Sequence, residues 1–265
     1  MTDRTKITVH SFADSTVLIT GGTSGVGLAS AKLFASRGVR KIALVGRNAE
    51  RGEQACRAVR EISPQSEVTF VAADANQLDQ AVSAAGQVRE RFGSVDILVN
   101  STIGLYTPNP LQDIPLEDIQ PIILQTVLAP MLMSRIVLPW MRERGGGCII
   151  NMASDAAKVP TPGETILGAA MSAIVLFSRT LSMEAKRFGV RVNVLTPSLI
   201  TGTPTAERVQ KEGFSAKLFA TVAKLADLGV VEPHEVAELI VFLASPQASK
   251  ITGQTVSING GISAG

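Results

Sequence analysis

Residues 17–27 read VLITGGTSGVG, and this stretch decides the fold. Its first four residues are typical of a buried strand, and the glycines after them let the backbone pass close to a pyrophosphate. The helix that follows presents free N–H groups and a partial positive charge to that phosphate. The alternative is a tight strand-to-helix turn that binds nothing. Because the glycine stretch lies between a first strand and a helix, the dinucleotide-binding turn is favoured over this alternative.

Beyond this turn, short β-branched runs alternate with longer helical patterns along the chain. Strands are predicted at residues 17–20, 42–45, 68–71, 95–99, 148–151, 190–195 and 255–258. Helical patterns lie between them, and strand–helix alternation requires parallel strands covered by helices. We therefore expect a doubly wound α/β Rossmann fold with about seven strands and helices on both faces. A single domain is predicted over 1–265, with a variable region of short helices at about 201–231.

The composition excludes several classes of function. The chain has 265 residues, of which 45% are hydrophobic, and its formal net charge is only +2, which gives no electrostatic case for a nucleic-acid or anionic-membrane partner. Two cysteines, Cys56 and Cys148, cannot form a disulfide framework, so a cytoplasmic location is expected. Two distant histidines, His10 and His234, make a metal site unexpected.

One stretch, residues 121–141, has the apolar character of a membrane span. It contains Gln125, Arg135 and three prolines. Since a charge near the middle of a span costs several kcal/mol, we expect a helix of a soluble protein here.

The residues after the second strand bear on the choice of dinucleotide. An acid at this point would hold the ribose hydroxyls of NAD, but the sequence has Arg47. A guanidinium matches a 2′-phosphate, so NADP(H) is expected in preference to NAD(H); a solvated Arg47 is the alternative. Asp74 follows the third strand. It is expected either to accept a hydrogen bond from the adenine amino group or to cap the next helix.

These segments resemble the short-chain dehydrogenase/reductase family over essentially the whole chain. The glycine turn is similar to the family's TGxxxGxG, residues 100–104 stand where the family has NNAG, and residues 192–197 are similar to its VNxxxPG segment. The resemblance implies hydride transfer between a nicotinamide and a carbonyl or alcohol. It also implies cofactor contacts from Gly21, Thr23, Ser24, Gly25, Val26, Gly27, Arg47, Asp74 and Asn100.

The chain departs from the family at the residues that transfer the proton. The resemblance places the catalytic Ser at Ser154, but Leu167 and Met171 stand where the family has its Tyr and Lys, and Thr126 stands for its helix Asn. A Leu has no proton to give, and a Met thioether cannot lower a neighbour's pKa. Ser154 without an adjacent base is therefore expected to be vestigial.

Four other polar residues are candidates for substitute chemistry. They are Tyr106, the only tyrosine of the chain, in the loop after the fourth strand, and Asp155, Lys158 and Glu164 in the loop after the fifth. Loop polar residues are usually solvated, and this is the expectation for all of them.

Together these observations predict a non-catalytic subunit of a hetero-oligomeric, tetrameric dehydrogenase. Its partner would be a homologous active chain, paired through the two long helices as in the family. The sequence resembles the inactive subunit of heterotetrameric hydroxyacyl-CoA-type dehydrogenases of benzylsuccinate β-oxidation. The alternatives are an NADP(H)-dependent oxidoreductase or lyase with non-standard catalytic residues, and a module that senses the dinucleotide. A chain that binds no dinucleotide is also compatible with the subunit hypothesis.

Overall fold

A parallel sheet forms the centre of the computed structural model, which describes residues 7–211 and 213–264. Within these residues the strands are β1 (Thr16–Thr20), β2 (Lys41–Gly46), β3 (Glu67–Ala72), β4 (Ile97–Asn100), β5 (Gly147–Met152), β6 (Val190–Pro197) and β7 (Thr255–Ile258). Their order across the sheet is β3-β2-β1-β4-β5-β6-β7. The expected seven-stranded, doubly wound parallel sheet is confirmed.

Helices cover both faces of this sheet. They are α1 (Gly25–Ser36), α2 (Ala49–Ile62), α3 (Leu78–Phe92), α4 (Leu116–Glu143), α5 (Thr165–Ala185), α6 (Pro204–Val209), α7 (Gly213–Lys224) and α8 (Pro233–Ala244). Helix α1 packs against α2 and α8, and α4 packs against α3 and α5. Alternate strand residues face the two layers: Ile19 belongs to one core cluster and Leu18 to the other. Because both faces are buried, the strands read as continuous apolar runs.

The strand order reverses between β1 and β4. The chain leaves β1 toward β2 and β3, and then returns to place β4 on the other side of β1. The connections after these two strands run in opposite directions, which leaves a crevice at the carboxyl ends of the strands. This reversal determines where the site described below lies.

Two long helices lie side by side on one face. By length and composition, α4 and the segment Thr165–Phe188 could each cross a membrane, and 44% of each apolar window is buried within this structure. Each helix packs one side against the protein and leaves apolar side chains such as Leu116 and Leu176 exposed. Exposed apolar patches of this kind mark surfaces that contact another protein or a membrane. The soluble character of residues 121–141 stays a prediction.

The short helices expected within residues 201–231 are present as α6 and α7. They form a small apolar cluster of their own, in which Leu199 and Val209 are buried and Phe219 packs against them. Arg208 of α6 donates a hydrogen bond of 3.2 Å to the carbonyl oxygen of Gly104. This bond joins α6 to the loop after β4, and both segments line the crevice.

Candidate dinucleotide and ligand site

A cavity of about 560 Å³ occupies the crevice at the carboxyl ends of the strands. The loops after β1, β2 and β3 form one part of its wall, and the loops after β4, β5 and β6 form the rest together with α6 and α7. Strand order alone places these two parts at opposite ends of the crevice. The first part contains the glycine turn, and the second contains the residues that align with the family's catalytic groups.

Two glycines of the turn, Gly21 and Gly27, cannot be replaced by residues with a side chain, because a Cβ atom would clash with the backbone. A Cβ atom on Gly21, whose φ is +69°, would lie 2.5 Å from the carbonyl oxygen of Ser101. A Cβ on Gly27 would lie 2.3 Å from the carbonyl oxygen of Gly21. Gly27 itself is not in the cavity wall, so its part is to let α1 pack closely against the turn.

The N-terminus of α1 is open toward the cavity. Ser24 precedes the helix but makes no side-chain capping hydrogen bond, whereas Asn48 caps α2 and Thr203 caps α6. The first amides of α1 therefore have no side-chain acceptor. Thr23, Ser24, Gly25 and Val26 line the cavity around them. Free amides, small side chains and a helix dipole fit a pyrophosphate.

Two arginines line the same end of the cavity. Arg47 follows β2, and Arg51 lies one helical turn later in α2. The Asn48 side chain accepts a hydrogen bond of 2.9 Å from the Arg51 amide, which starts the helix there. Sequence reasoning missed Arg51, which lies in the first turn of α2, four residues after Arg47.

Asp74 also lines this end of the cavity, and it does not cap α3. Its Oδ1 accepts hydrogen bonds from the amide and the side chain of Asn76, at 3.0 and 3.2 Å. The residue before α3 is Gln77. Of the two expectations for Asp74, helix capping is wrong because the carboxylate closes a local turn instead.

Asn100 does not lie in the cavity wall. Its side-chain amide donates to Oδ1 of Asn151 at 2.8 Å and its oxygen accepts from Thr20 Oγ1 at 3.2 Å, while Asn151 donates to Ser178 Oγ at 2.8 Å. These polar groups are buried, and buried polar groups need partners. The Asn100 side chain thus ties β1, β4 and β5 together, and its expected contact with the cofactor stays a prediction.

Leu167 and Met171 stand one helical turn apart in α5, and both line the cavity. Only 8% of Leu167 and 4% of Met171 is exposed. They pack in an apolar cluster with Val127, Ala153, Ala170, Ile174 and Val194. The positions at which the resemblance predicts the family's Tyr and Lys therefore hold neither an acidic proton nor a cation.

Ser154 and Thr126 complete the set of positions that the resemblance singled out. Ser154 lines the cavity, and its Oγ accepts a hydrogen bond of 3.3 Å from the amide of Ala156. Thr126 is buried outside the cavity wall, and its hydroxyl donates to the carbonyl oxygen of Ile122 at 2.7 Å. Among the described residues, neither hydroxyl is hydrogen-bonded to a carboxylate, an imidazole or an amine.

The loop after β5 is not solvated, so the expectation for Asp155 and Glu164 is wrong. Asp155 is 6% exposed and Glu164 is 9% exposed, and both line the cavity. The cause is the C-terminal segment, which packs on this loop: Asn259 Nδ2 and Ser263 Oγ donate to Oδ2 of Asp155 at 2.6 and 2.7 Å. Lys158 is partly buried as well, with its ammonium 4.0 Å from Oδ1 of Asp155.

Burial changes the acid–base properties of this end of the cavity. It raises the pKa of Glu164 to about 7; the hydroxyl of Thr161 works against the shift and the charge of Asp155 adds to it. Burial also raises the pKa of Tyr106, which lines the cavity close enough to Glu164 to feel its charge. The lone tyrosine is therefore a wall residue and not a solvated one.

Arg208 is a further wall residue that sequence reasoning missed. Its desolvation lowers the pKa of the guanidinium, which donates to the Gly104 carbonyl as described above. No local pattern marked it, because its contact joins segments about a hundred residues apart. Elsewhere, His234 is exposed beside Glu232, and no group of three or more His, Cys, Asp or Glu side chains that could hold a metal occurs within residues 7–211 and 213–264.

Comparison with known proteins gives the same family along nearly the full chain. A family model described as enoyl-(acyl carrier protein) reductase matches residues 21–263. A 3-oxoacyl-(acyl-carrier-protein) reductase of Chlamydia muridarum is 32% identical over 248 residues, which are 92% of this chain and 96% of that protein. A levodione reductase of Leifsonia aquatica is 31% identical over 259 residues, 96% of each chain.

Solved structures extend the similarity to the fold. The crystal structure of a levodione reductase superposes with a TM-score of 0.87 at 29% identity, covering 94% of this chain and 98% of that one. A 3-ketoacyl-(acyl-carrier-protein) reductase of Brucella melitensis complexed with NADH has a TM-score of 0.84 at 29% identity, covering 96% of this chain and all of that one.

Proposed function

This chain belongs to the short-chain dehydrogenase/reductase family, and on that basis we propose that it binds NADP(H) without performing the family's proton transfer. In this proposal it is the non-catalytic subunit of a hetero-oligomeric dehydrogenase, next to a homologous active chain. The observation that carries the proposal is the pair Leu167 and Met171, buried in the cavity wall where the family has its Tyr and Lys.

The residues around the glycine turn would hold the dinucleotide. The open amides at the start of α1, with Thr23 and Ser24, suit the pyrophosphate, and Arg47 with Arg51 suits a 2′-phosphate. These two guanidiniums support NADP(H) in preference to NAD(H). Bound NADP(H) supplies a hydride donor or acceptor, and the chain's own residues would supply its binding and orientation.

Proton transfer is the part of the reaction that this chain cannot support in the family's way. Leu167 presents only methyl groups, and Met171 presents a thioether that neither carries charge nor donates a hydrogen bond. Ser154 already accepts a hydrogen bond from the Ala156 amide. Loss of a general acid or base alone lowers rates by about 10²–10⁴, and here the cation that tunes it is replaced as well.

The outer sides of α4 and α5 suit a homologous partner. Leu116, Leu124, Leu176 and Met183 are exposed there, and exposed apolar groups on neighbouring helices mark an interaction surface. An active chain of the same fold would present the same two helices, so the pair could repeat into a heterotetramer. The resemblance to hydroxyacyl-CoA dehydrogenases gives the expected substrate class of that partner.

Turnover of the purified chain tests the proposal. With NADPH and a panel of ketones we expect no oxidation of NADPH by the wild type, although NADPH fluorescence reports binding. Turnover should appear at a low level in the double variant Leu167→Tyr with Met171→Lys, because it supplies the proton donor and the cation that the resemblance expects, while Thr126 still stands in place of the family's Asn. Purification from the native host should yield a second chain of similar size. Steady turnover by the wild type alone would contradict the non-catalytic role.

A second candidate function is an oxidoreductase with a substitute proton donor. Its support is Tyr106, the one phenol of the chain, in the cavity wall, together with relatives that are reductases and dehydrogenases. This candidate predicts wild-type turnover that Tyr106→Phe abolishes.

A further inference from the structure

The part of the cavity formed by the loops after β4, β5 and β6 with α6 and α7 is called the ligand end here, and its wall is mostly apolar. Besides Leu167 and Met171, its wall contains the apolar side chains of Leu105, Leu199, Leu218 and Phe219. Such a surface favours a ligand with a hydrophobic body, since apolar surface is removed from water on binding. The few charged groups in this wall therefore decide which polar group the ligand carries.

Glu164 is the charged group of this wall that has no cationic partner. It immediately precedes α5, lines the cavity and is 9% exposed. The ion pairs formed by the described residues do not include it. A buried carboxylate without a cation is unfavourable, so this side chain has the most to gain from a positively charged ligand.

The other charged groups at this end are already engaged. Asp155 adds a second buried carboxylate, whose Oδ1 has no hydrogen-bond donor and faces the Lys158 ammonium at 4.0 Å. Lys158 also donates to Ser257 Oγ. Arg208 of α6 donates to the Gly104 carbonyl but keeps its positive charge, and its buried Nε has no hydrogen-bond partner. Asp118 of α4 contributes negative charge at Tyr106. The neighbouring charge that acts on Glu164 itself is the negative charge of Asp155.

We propose that this end of the cavity binds an apolar ligand that carries a protonated amine, and that the Glu164 carboxylate receives the ammonium group. The ammonium would give Glu164 its missing partner and reduce its repulsion with Asp155. An anionic ligand at this point would be repelled by the carboxylates of Glu164 and Asp155, and a neutral ligand would leave Glu164 without a counter-ion. This inference rests on the proposed function only in using the same cavity.

Binding of this kind has a defined proton balance. When the ammonium meets a protonated Glu164, the carboxylic proton leaves to the buffer and an ion pair of carboxylate and ammonium remains. No covalent bond forms or breaks in the ligand. Because the pKa of Glu164 is about 7, binding at pH 7 releases roughly half a proton per site. A ligand that accepts a hydrogen bond from protonated Glu164 would instead cause proton uptake.

Calorimetry of the whole chain saturated with NADPH tests this with three probes of similar shape: 2-phenylethylamine, 2-phenylethanol and phenylacetate. We expect the amine to bind most tightly. Its heat should vary with the ionisation enthalpy of the buffer in the direction of proton release. Its affinity should fall about tenfold from pH 8 to pH 6, as the carboxylate is protonated.

Two variants separate the carboxylate from the cavity. Glu164→Gln should weaken the amine at least tenfold at pH 8 and remove its pH dependence, with 2-phenylethanol binding changed less than twofold. Glu184→Gln, the same change at an exposed site of α5, should leave all three probes unchanged. The buffer series on the wild type remains decisive if Glu164→Gln fails to fold.

Several results would overturn the inference. They are no binding of the amine, binding unaffected by Glu164→Gln, proton uptake, or tighter binding of the alcohol. NADPH binding and turnover are read separately, so loss of the proposed function would show as absent NADPH binding or as wild-type turnover, whatever the amine does.

Discussion

Asn259 donates a hydrogen bond of 2.6 Å to Oδ2 of Asp155, across 104 residues of sequence. The bond joins the segment after β7 to the loop after β5. Ser263, in the same segment, donates to the same oxygen at 2.7 Å and also lines the cavity. These two hydrogen bonds thus hold the C-terminal segment over Asp155, and Ser263 closes part of the cavity wall.

Asn259→Ala should lower the free energy of unfolding by roughly 1–3 kcal/mol, since it leaves a buried carboxylate oxygen with one donor fewer. Denaturant unfolding monitored by circular dichroism measures this. Gln247→Ala removes an exposed amide nearby in sequence and serves as the control. Equal stability of the two variants would show that the hydrogen bond contributes nothing.

Glu164 makes stability depend on pH in a predictable direction. Its pKa rises from 4.5 to about 7 in the folded chain, so the native state binds the proton more tightly than the unfolded state. This group's contribution to stability is then favourable at low pH and is lost as pH rises from about 4.5 to about 7. The loss is at most about 3 kcal/mol, from 1.36 kcal/mol per pKa unit.

Glu164→Gln should therefore flatten the stability profile between pH 5 and pH 8 relative to the wild type. Urea unfolding at a series of pH values compares the two. A wild-type profile that rises across this window, with the difference between the two chains growing in favour of Glu164, would be the opposite of what burial requires.

Gly27→Ala should abolish NADPH binding and destabilise the chain. The added Cβ would meet the Gly21 carbonyl oxygen at 2.3 Å, which forces α1 away from the turn. Gly86→Ala is the matched control, because Gly86 lies in α3 with open space around it. That change should stabilise the chain by up to about 1 kcal/mol. NADPH fluorescence and thermal unfolding report both outcomes.

Arg47→Ala should weaken NADPH about tenfold to a hundredfold, since it removes charge-assisted hydrogen bonds to the 2′-phosphate. NADH binding should change less than twofold, because NADH lacks that phosphate. Arg40→Ala, at an exposed position just before β2, controls for the loss of charge. Equal weakening of NADPH and NADH would contradict this prediction, because it would mean that Arg47 contacts a part of the cofactor other than the 2′-phosphate.

Local patterns were sufficient for the fold. Strand runs are apolar because both sheet faces are covered, and this makes them recognisable one at a time. Boundaries were less certain: the pattern of α1 is apparent from residue 29, whereas the helix begins at Gly25, because glycines give no periodic signal. The glycine turn itself was also recognisable along the chain, and so was the presence of Leu167 and Met171 where the resemblance predicts Tyr and Lys.

The burial of Asp155 and Glu164 could not be predicted from local sequence patterns. Asp155 and Glu164 stand in a polar loop that composition alone describes as solvated. Their burial depends on Asn259, Ser263 and the walls of the cavity, which come from distant segments. The same holds for the hydrogen bonds of Asn100 with Asn151 and Thr20, which join strands that are far apart in the sequence.

The sequence by itself determined the doubly wound sheet and the family, because both follow from residue types at short spacing. Only the tertiary structure decided the charge environment of the cavity. A pKa responds to desolvation and to neighbouring charges, and for Glu164 these arise where loops far apart in the chain meet.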